Sequence, residues 1–310
     1  MPAPSVSAAP AAPSSRAWAE LTLLALIWGG SFLAIRVALD ELPFVTSVAW
    51  RVGLAALVLW AWVLARGLAV PRAPRVWGAL LVMGLLNNVI PFTLMAWGQL
   101  TIETGLTSIL NAGTAVFGVL AAALLLPDER LTPRRALGVA LGFLGVVTAI
   151  GPGQLVTLDL RALAQLAVVA GTLSYALASV WGKVALRGLA PEVAAAGMLT
   201  ASSLVAIPAA LAIDGPVRPT APATWAAVAY YAVAATALAY LLYFRVLAMA
   251  GSGNAMLVTL LIAPVSIVLG ALVLGEGLAP RTYAGFALLA LGLAVIDGRV
   301  LRIDRARPRG

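Results

Sequence analysis

The sequence predicts an all-α integral membrane protein, ten transmembrane helices built as two inverted five-helix repeats. Three observations predict it. Of 310 residues, 62% are hydrophobic and only 10% charged, against about 45–50% and about 25% in a soluble domain, so too little polar surface is left to face water. The apolar residues fall in runs of about 18–24, the length that crosses a hydrocarbon layer of about 30 Å as a helix. Finally, residues 124–145, LLLPDERLTPRRALGVALGFLG, return 147 positions later as ALVLGEGLAPRTYAGFALLALG (271–292), with ten identities in 22 ungapped positions.

Residues 1–16 are a Pro-, Ala- and Ser-rich stretch read as a disordered tail without a signal peptide. Spans are expected at 17–39, 44–65, 75–97, 102–126, 133–150, 161–186, 192–213, 223–246, 252–274 and 280–298. Pro, Gly or charge marks each connection, and several prolines sit where the next helix needs no N–H donor. The first repeat is 17–150, the linker 151–160, the second repeat 161–298, and 299–310 a basic tail. The register of 147 holds early too, where Arg36-Val-Ala-Leu39 meets Lys183-Val-Ala-Leu186 and Trp28 meets Tyr175. Five is odd, so the second copy must enter the membrane from the opposite side. An axis in the membrane plane then relates the halves.

Lys and Arg set the orientation. Fifteen lie at the end of the bundle that holds both termini, four at the other end, and Arg51 lies inside the second span. This excess places both termini in the cytoplasm of a bacterial inner-membrane protein. The net charge of +8 is therefore read as topology-setting loops, not as a nucleic-acid surface. With no Cys and no His, disulfides, thiolate or imidazole metal sites and Ser-His or Cys-His nucleophiles are excluded. No catalytic residue, metal, cofactor or protein partner is expected.

Ten spans in inverted halves, IWGGSFLAIRVAL at 27–39 and the doubled Leu-x-x-x-Glu-x-Leu-x-Pro-Arg turn (125–134 and 272–281) resemble the drug/metabolite transporter superfamily, EamA-type exporters, including bacterial amino-acid exporters. The resemblance covers about residues 17–298 and departs at Asp128, where the second turn has Gly275. It implies alternating access and the export of small metabolites, amino acids, aromatic ones included, across the bilayer. A multidrug or quaternary-ammonium exporter with proton antiport is the alternative. That chemistry needs a carboxylate at mid-membrane, and no span carries one at its centre. A membrane enzyme acting on lipids would show Asp-rich or His-bearing loops, which are missing.

Non-ionic polar groups do gather at mid-span depth. Asn87 and Asn88 precede Pro91, which frees a backbone carbonyl, and Gly84 loosens the same helix. Asn111, Ser179, Tyr240 and Tyr243 lie at similar depth, and Trp28 with Tyr175, and Trp97, stand where aromatic walls are expected. These nine residues form the predicted substrate-binding set: amides and hydroxyls for an ammonium and a carboxylate, rings for a side chain. Each has a second reading as helix–helix packing. Arg51 is read as snorkelling to the interface, Glu129 and Glu276 as caps of the helices that follow them. Gly138-x-x-x-Gly142 fits close packing between the fifth and tenth spans, or a dimer face.

Overall fold

In hydrocarbon a backbone N–H or C=O finds no water, so apolar runs this long must satisfy themselves as helices. The computed structural model describes residues 15–127, 131–153, 159–255 and 257–297, with backbone alone at 247, 248, 250–255, 257 and 260. Every regular element among them is helical. In order these are α1 (Ser15–Ala38), α2 (Phe44–Ala65), α3 (Pro74–Gly98), α4 (Thr104–Leu125), α5 (Pro133–Ile150), α6 (Leu160–Ala185), α7 (Pro191–Ile213), α8 (222–255), α9 (Leu257–Leu274) and α10 (Pro280–Asp297). Prolines 74, 133, 191, 222 and 280 open their helices. Thr132 and Asp159 cap α5 and α6 by accepting from the N–H of Arg135 and Ala162.

Among the described residues, α1 to α7 and the 222–246 part of α8 are long and apolar enough to cross a membrane, while α9 contributes a shorter apolar helix, Leu261–Leu274. The expected break at 247–251 is instead continuous helix to residue 255. Good helix formers from Leu247 to Ala250 carry the helix past Gly251. Leu57, Leu64, Leu124, Leu204 and Leu272 are 68–79% exposed, a liability in water that a lipid environment removes.

The packing has an internal symmetry. Exchanging α1–α5 with α6–α10 carries the contact α1–α9 onto α6–α4, α2–α8 onto α7–α3 and α3–α6 onto α8–α1. The pairs α2–α7, α4–α9 and α5–α10 map onto themselves. The α5–α10 pair shows the symmetry at atomic scale. A Cβ at Gly138 would lie 2.6 Å from the Gly292 carbonyl oxygen, and one at Gly145 2.7 Å from that of Gly285. Shifting either pair by the 147-residue register produces the other. The glycines thus serve packing between α5 and α10.

Candidate functional site

Two helices are locally underwound and widened. Leu85–Val89 in α3 and Tyr230–Leu238 in α8 are π-helical, and the register of 147 places the first inside the second. In α3 the Ile90 N–H reaches back five residues to the Leu85 carbonyl, just before Pro91, which has no N–H to give. In α8 the Thr236 hydroxyl donates to the Tyr231 carbonyl at 2.7 Å. A π segment turns carbonyls away from their ordinary partners, and neighbouring helices use them. The Ser174 hydroxyl donates to Leu86 (2.7 Å) and the Trp28 indole N–H to Ala235 (3.1 Å).

Within the α3 segment, Asn87 and Asn88 build a network across the two halves. The Tyr240 hydroxyl donates to Asn88 Oδ1 at 3.0 Å and accepts from Asn87 Nδ2 at 3.1 Å. Asn88 Nδ2 donates to the Ser202 hydroxyl at 3.0 Å, which in turn donates to the Met198 carbonyl at 2.7 Å. Asn88 and Ser202 are fully buried. Gly84 lets α7 approach here, since a Cβ on it would stand 2.6 Å from the Met198 carbonyl oxygen.

Arg51 was expected at the interface and is instead buried, only 9% exposed. Its Nε–H donates to the Thr236 hydroxyl at 2.9 Å, and its guanidinium carbon lies 3.7 Å from the centre of the Phe92 ring. The α8 π segment holds Thr236 in reach, and Phe92 takes up part of the desolvated charge through its π face. With Ile35, Ser47, Val48, Ala96 and Tyr231, Arg51 and Phe92 border a narrow cavity between α1, α2, α3 and α8. Tyr175 and Tyr240 lie within electrostatic reach of the guanidinium. Besides Phe92 and Thr236, the predicted set lacks Arg51 and Ser202. The charge inside a span was the available signal for Arg51, and nothing local marks Ser202.

The other predicted residues divide. Tyr175 meets Phe92 edge-on (6.5 Å between centroids) and packs against both large apolar clusters, so it belongs with the network. Trp28 and Tyr243 meet at a tilt (5.7 Å between centroids, 41° between planes) in a separate cluster of α1, α8 and α9. Trp97 packs into the cluster around α4 and α6. Asn111 is half-buried outside the network, and the exposed Ser179 hydroxyl bonds back to the Ala176 carbonyl of its own helix.

Carboxylates tie the halves together at the end of the bundle opposite the termini. Glu276 accepts from the Thr104 N–H (2.9 Å), from its hydroxyl and from the Gly105 N–H (3.4 Å). It therefore caps α4 of the other half, not the helix that follows it. Glu129 lies outside the described residues. Asp214 caps α2 through the Thr46 N–H and hydroxyl (3.1 and 2.7 Å), and Arg161 pairs with Glu103 at 2.6 Å. Glu41 accepts from the Thr220 hydroxyl and N–H and from the Ala221 N–H ahead of α8. The hydroxyls of Thr220, first, and of Thr224 hold its pKa down to about 2. At the opposite end, Arg245 pairs with Glu20 at 2.5 Å. Every described carboxylate sits at a helix end or in a connection.

The chain matches the pattern of the EamA-like transporter family twice, over residues 18–151 and 162–297. It is 31% identical over 239 residues to an uncharacterized transporter of Archaeoglobus fulgidus, covering 75% of this chain and 80% of that protein. Over 290 residues it is 27% identical to a probable terminal-alkyne amino-acid exporter of Streptantibioticus cattleyicolor, covering 93% and 95% respectively. A solved crystal structure superimposes with a TM-score of 0.67 at 20% identity, over 93% of this chain and 98% of the other, a likeness of fold.

Proposed function

Since the chain belongs to the EamA-like transporter family, we propose that it exports amino acids and related small amphipathic metabolites by alternating access. Its repeats, 17–150 and 161–298, are read as ten spans in two inverted bundles in a bacterial inner membrane, both termini cytoplasmic. The exchange symmetry of the helix contacts and of the α5–α10 glycines supports that layout.

One observation carries the substrate reading: a hydrogen-bonded network of Asn87, Asn88, Tyr240 and Ser202, built on a π segment where the halves meet. Its amides and hydroxyls match the polar ends of an amino acid, while Phe92 and Tyr175 offer aromatic surface beside it. The relative that bears an amino-acid exporter's name points the same way. A cation exporter exchanging protons would hold its cargo on a carboxylate at mid-span, and none of the described carboxylates lies there.

The test is counterflow of labelled amino acids in proteoliposomes, with and without a pH gradient. Counterflow that the gradient does not accelerate is expected. Its absence across a panel of amino acids, with proton-coupled uptake of quaternary ammonium ions, would overturn the reading.

A further inference from the structure

Arg51 carries a charge that the protein leaves unanswered. Of its nitrogens, Nε alone bonds a protein group, Thr236. Nη1 and Nη2 bond nothing among the described residues, and none of the described carboxylates forms an ion pair with it. It begins its third turn from the start of α2, roughly 10 Å along the helix axis from Phe44. A guanidinium at that depth is expensive unless it meets an opposite charge or water. Phe92 offsets part of the cost but accepts no hydrogen bond in the guanidinium plane. Arg51 borders the cavity between α1, α2, α3 and α8.

The register sharpens the point. Position 51 corresponds to Met198 in the other half, where a neutral thioether lies 3.8 Å from the Asn87 amide nitrogen. The scaffold therefore does not require a cation at this place. One half has it and the other does not.

We propose that Arg51 is a carboxylate-binding subsite: its free Nη1 and Nη2 N–H groups receive the carboxylate of the transported molecule as a two-pronged pair. Thr236 and the Phe92 ring fix the plane of the fork, and the Asn87–Asn88–Tyr240 network stands beside it for the rest of the substrate. The cargo class narrows to organic acids, amino acids among them. Amines that lack a carboxylate are repelled by the same charge. This deepens the transport reading and rests on it.

The experiment measures binding to the detergent-solubilised full chain by calorimetry, with three probes sharing one ring: L-phenylalanine, 3-phenylpropionate and 2-phenylethylamine. Wild type, Arg51→Gln, Arg51→Lys and Thr236→Val are compared, each checked for a monodisperse elution profile. Wild type should bind both acids and not the amine. Arg51→Gln should weaken both acids at least about tenfold, the usual worth of losing charge-assisted hydrogen bonds. Arg51→Lys should recover part of that loss, and Thr236→Val should lose less than Arg51→Gln.

The outcomes separate the two levels. Arg51-dependent binding of 3-phenylpropionate without binding or counterflow of any amino acid upholds the subsite and sinks the amino-acid reading. Amino-acid counterflow unchanged in Arg51→Gln upholds that reading and sinks the subsite. Equal affinity of wild type for the acids and the amine sinks the subsite, and so does loss of melting temperature in Arg51→Gln with acid affinity intact. If Arg51→Gln does not fold, Arg51→Lys decides: a single-point ammonium should weaken both acids while leaving the fold intact, and unaltered acid binding counts against the two-pronged pair.

Discussion

Adding one methyl group at Gly285 should separate α5 from α10. A Cβ there would stand 2.5 Å from the Ala149 nitrogen, 2.6 Å from the Gly145 carbonyl oxygen and 2.7 Å from the Ala149 Cβ. Two of those three atoms are backbone, so no side-chain rotation relieves the clash. Ordinary contact begins near 3.4 Å; the difference from 2.6 Å requires the helices to move apart by about 0.8 Å. Along an interface of this kind that loosens contacts on both sides of the crossing, and overpacking of a tight core costs about 1–3 kcal/mol. The assay is thermal unfolding in detergent, followed by tryptophan fluorescence.

Three comparisons make the number interpretable. Gly118→Ala, in α4 with nothing within 4 Å of its Cβ, should leave the melting temperature unchanged or raise it. By the register, Gly138→Ala should resemble Gly285→Ala in cost. The double variant Gly145→Ala/Gly285→Ala should cost clearly less than the sum of its singles, because one separation of the helices relieves both clashes. A Gly285→Ala protein as stable as Gly118→Ala would refute the close backbone contact, and strictly additive singles would refute the shared crossing.

Tyr240→Phe removes the hydroxyl that donates to Asn88 and accepts from Asn87. It should cost about 1–3 kcal/mol of stability by stranding buried amide groups and weaken substrate binding, both read on one purified sample. Glu276→Ala, which uncaps α4, should cost about 1–2 kcal/mol, visible as a lower melting temperature that Glu276→Gln only partly restores. The Thr220 and Thr224 hydroxyls hold the folded Glu41 carboxyl down to about 2, below the ordinary carboxylate value of about 4.5. Its contribution is thus complete above about pH 4.5 and disappears as pH falls through about 2. The melting-temperature advantage of wild type over Glu41→Gln should follow that window, and an advantage undiminished at pH 2 would refute the clasp. Because the chain has no Cys, single cysteines at positions 130 and 276 can be labelled from one side at a time, and they should react from opposite faces of the bilayer.

Much of the scaffold was written in local pattern. Apolar runs of membrane length fixed α1–α7 to within two residues, because hydrocarbon leaves a polar backbone no other choice. Gly138, Gly145 and their counterparts Gly285 and Gly292 mark the α5–α10 crossing, since removing Cβ has few other uses in a helix. Asn87 and Asn88 were visible because Pro91 and Gly84 flank them. What stayed hidden was tertiary. Arg51 meets Thr236 across 185 positions and Asn88 meets Ser202 across 114, and no periodicity encodes such a pairing. The long flexible stem of Arg51 made an interfacial position as reasonable as a buried one. Only the neighbours in α3 and α8 decided it. Glu276 was correctly sensed as a cap, but the helix it caps comes from the other half, which a local reading of the turn had no means to select.

The two halves agree in backbone and disagree in chemistry, and both facts have a purpose in a carrier. Alternating access needs two states of nearly equal free energy, so that a substrate's modest binding energy can bias them. Halves of the same architecture provide this, since each state is the other with the roles of the halves exchanged. A substrate, however, has one acidic end and one basic end, and a symmetric pair of half-sites would bind it in two opposite senses. The register shows where the symmetry is broken. Asn87 and Asn88 correspond to Ala234 and Ala235, and Arg51 corresponds to Met198. The first half thus supplies the amides and the cation, and the second half their hydroxyl partners, Ser202, Thr236 and Tyr240. The polar groups of the site are divided between the repeats, so no half holds a complete site. A chimera carrying two copies of the first repeat should insert and pack its α5-type helices, yet bind none of the wild-type substrate.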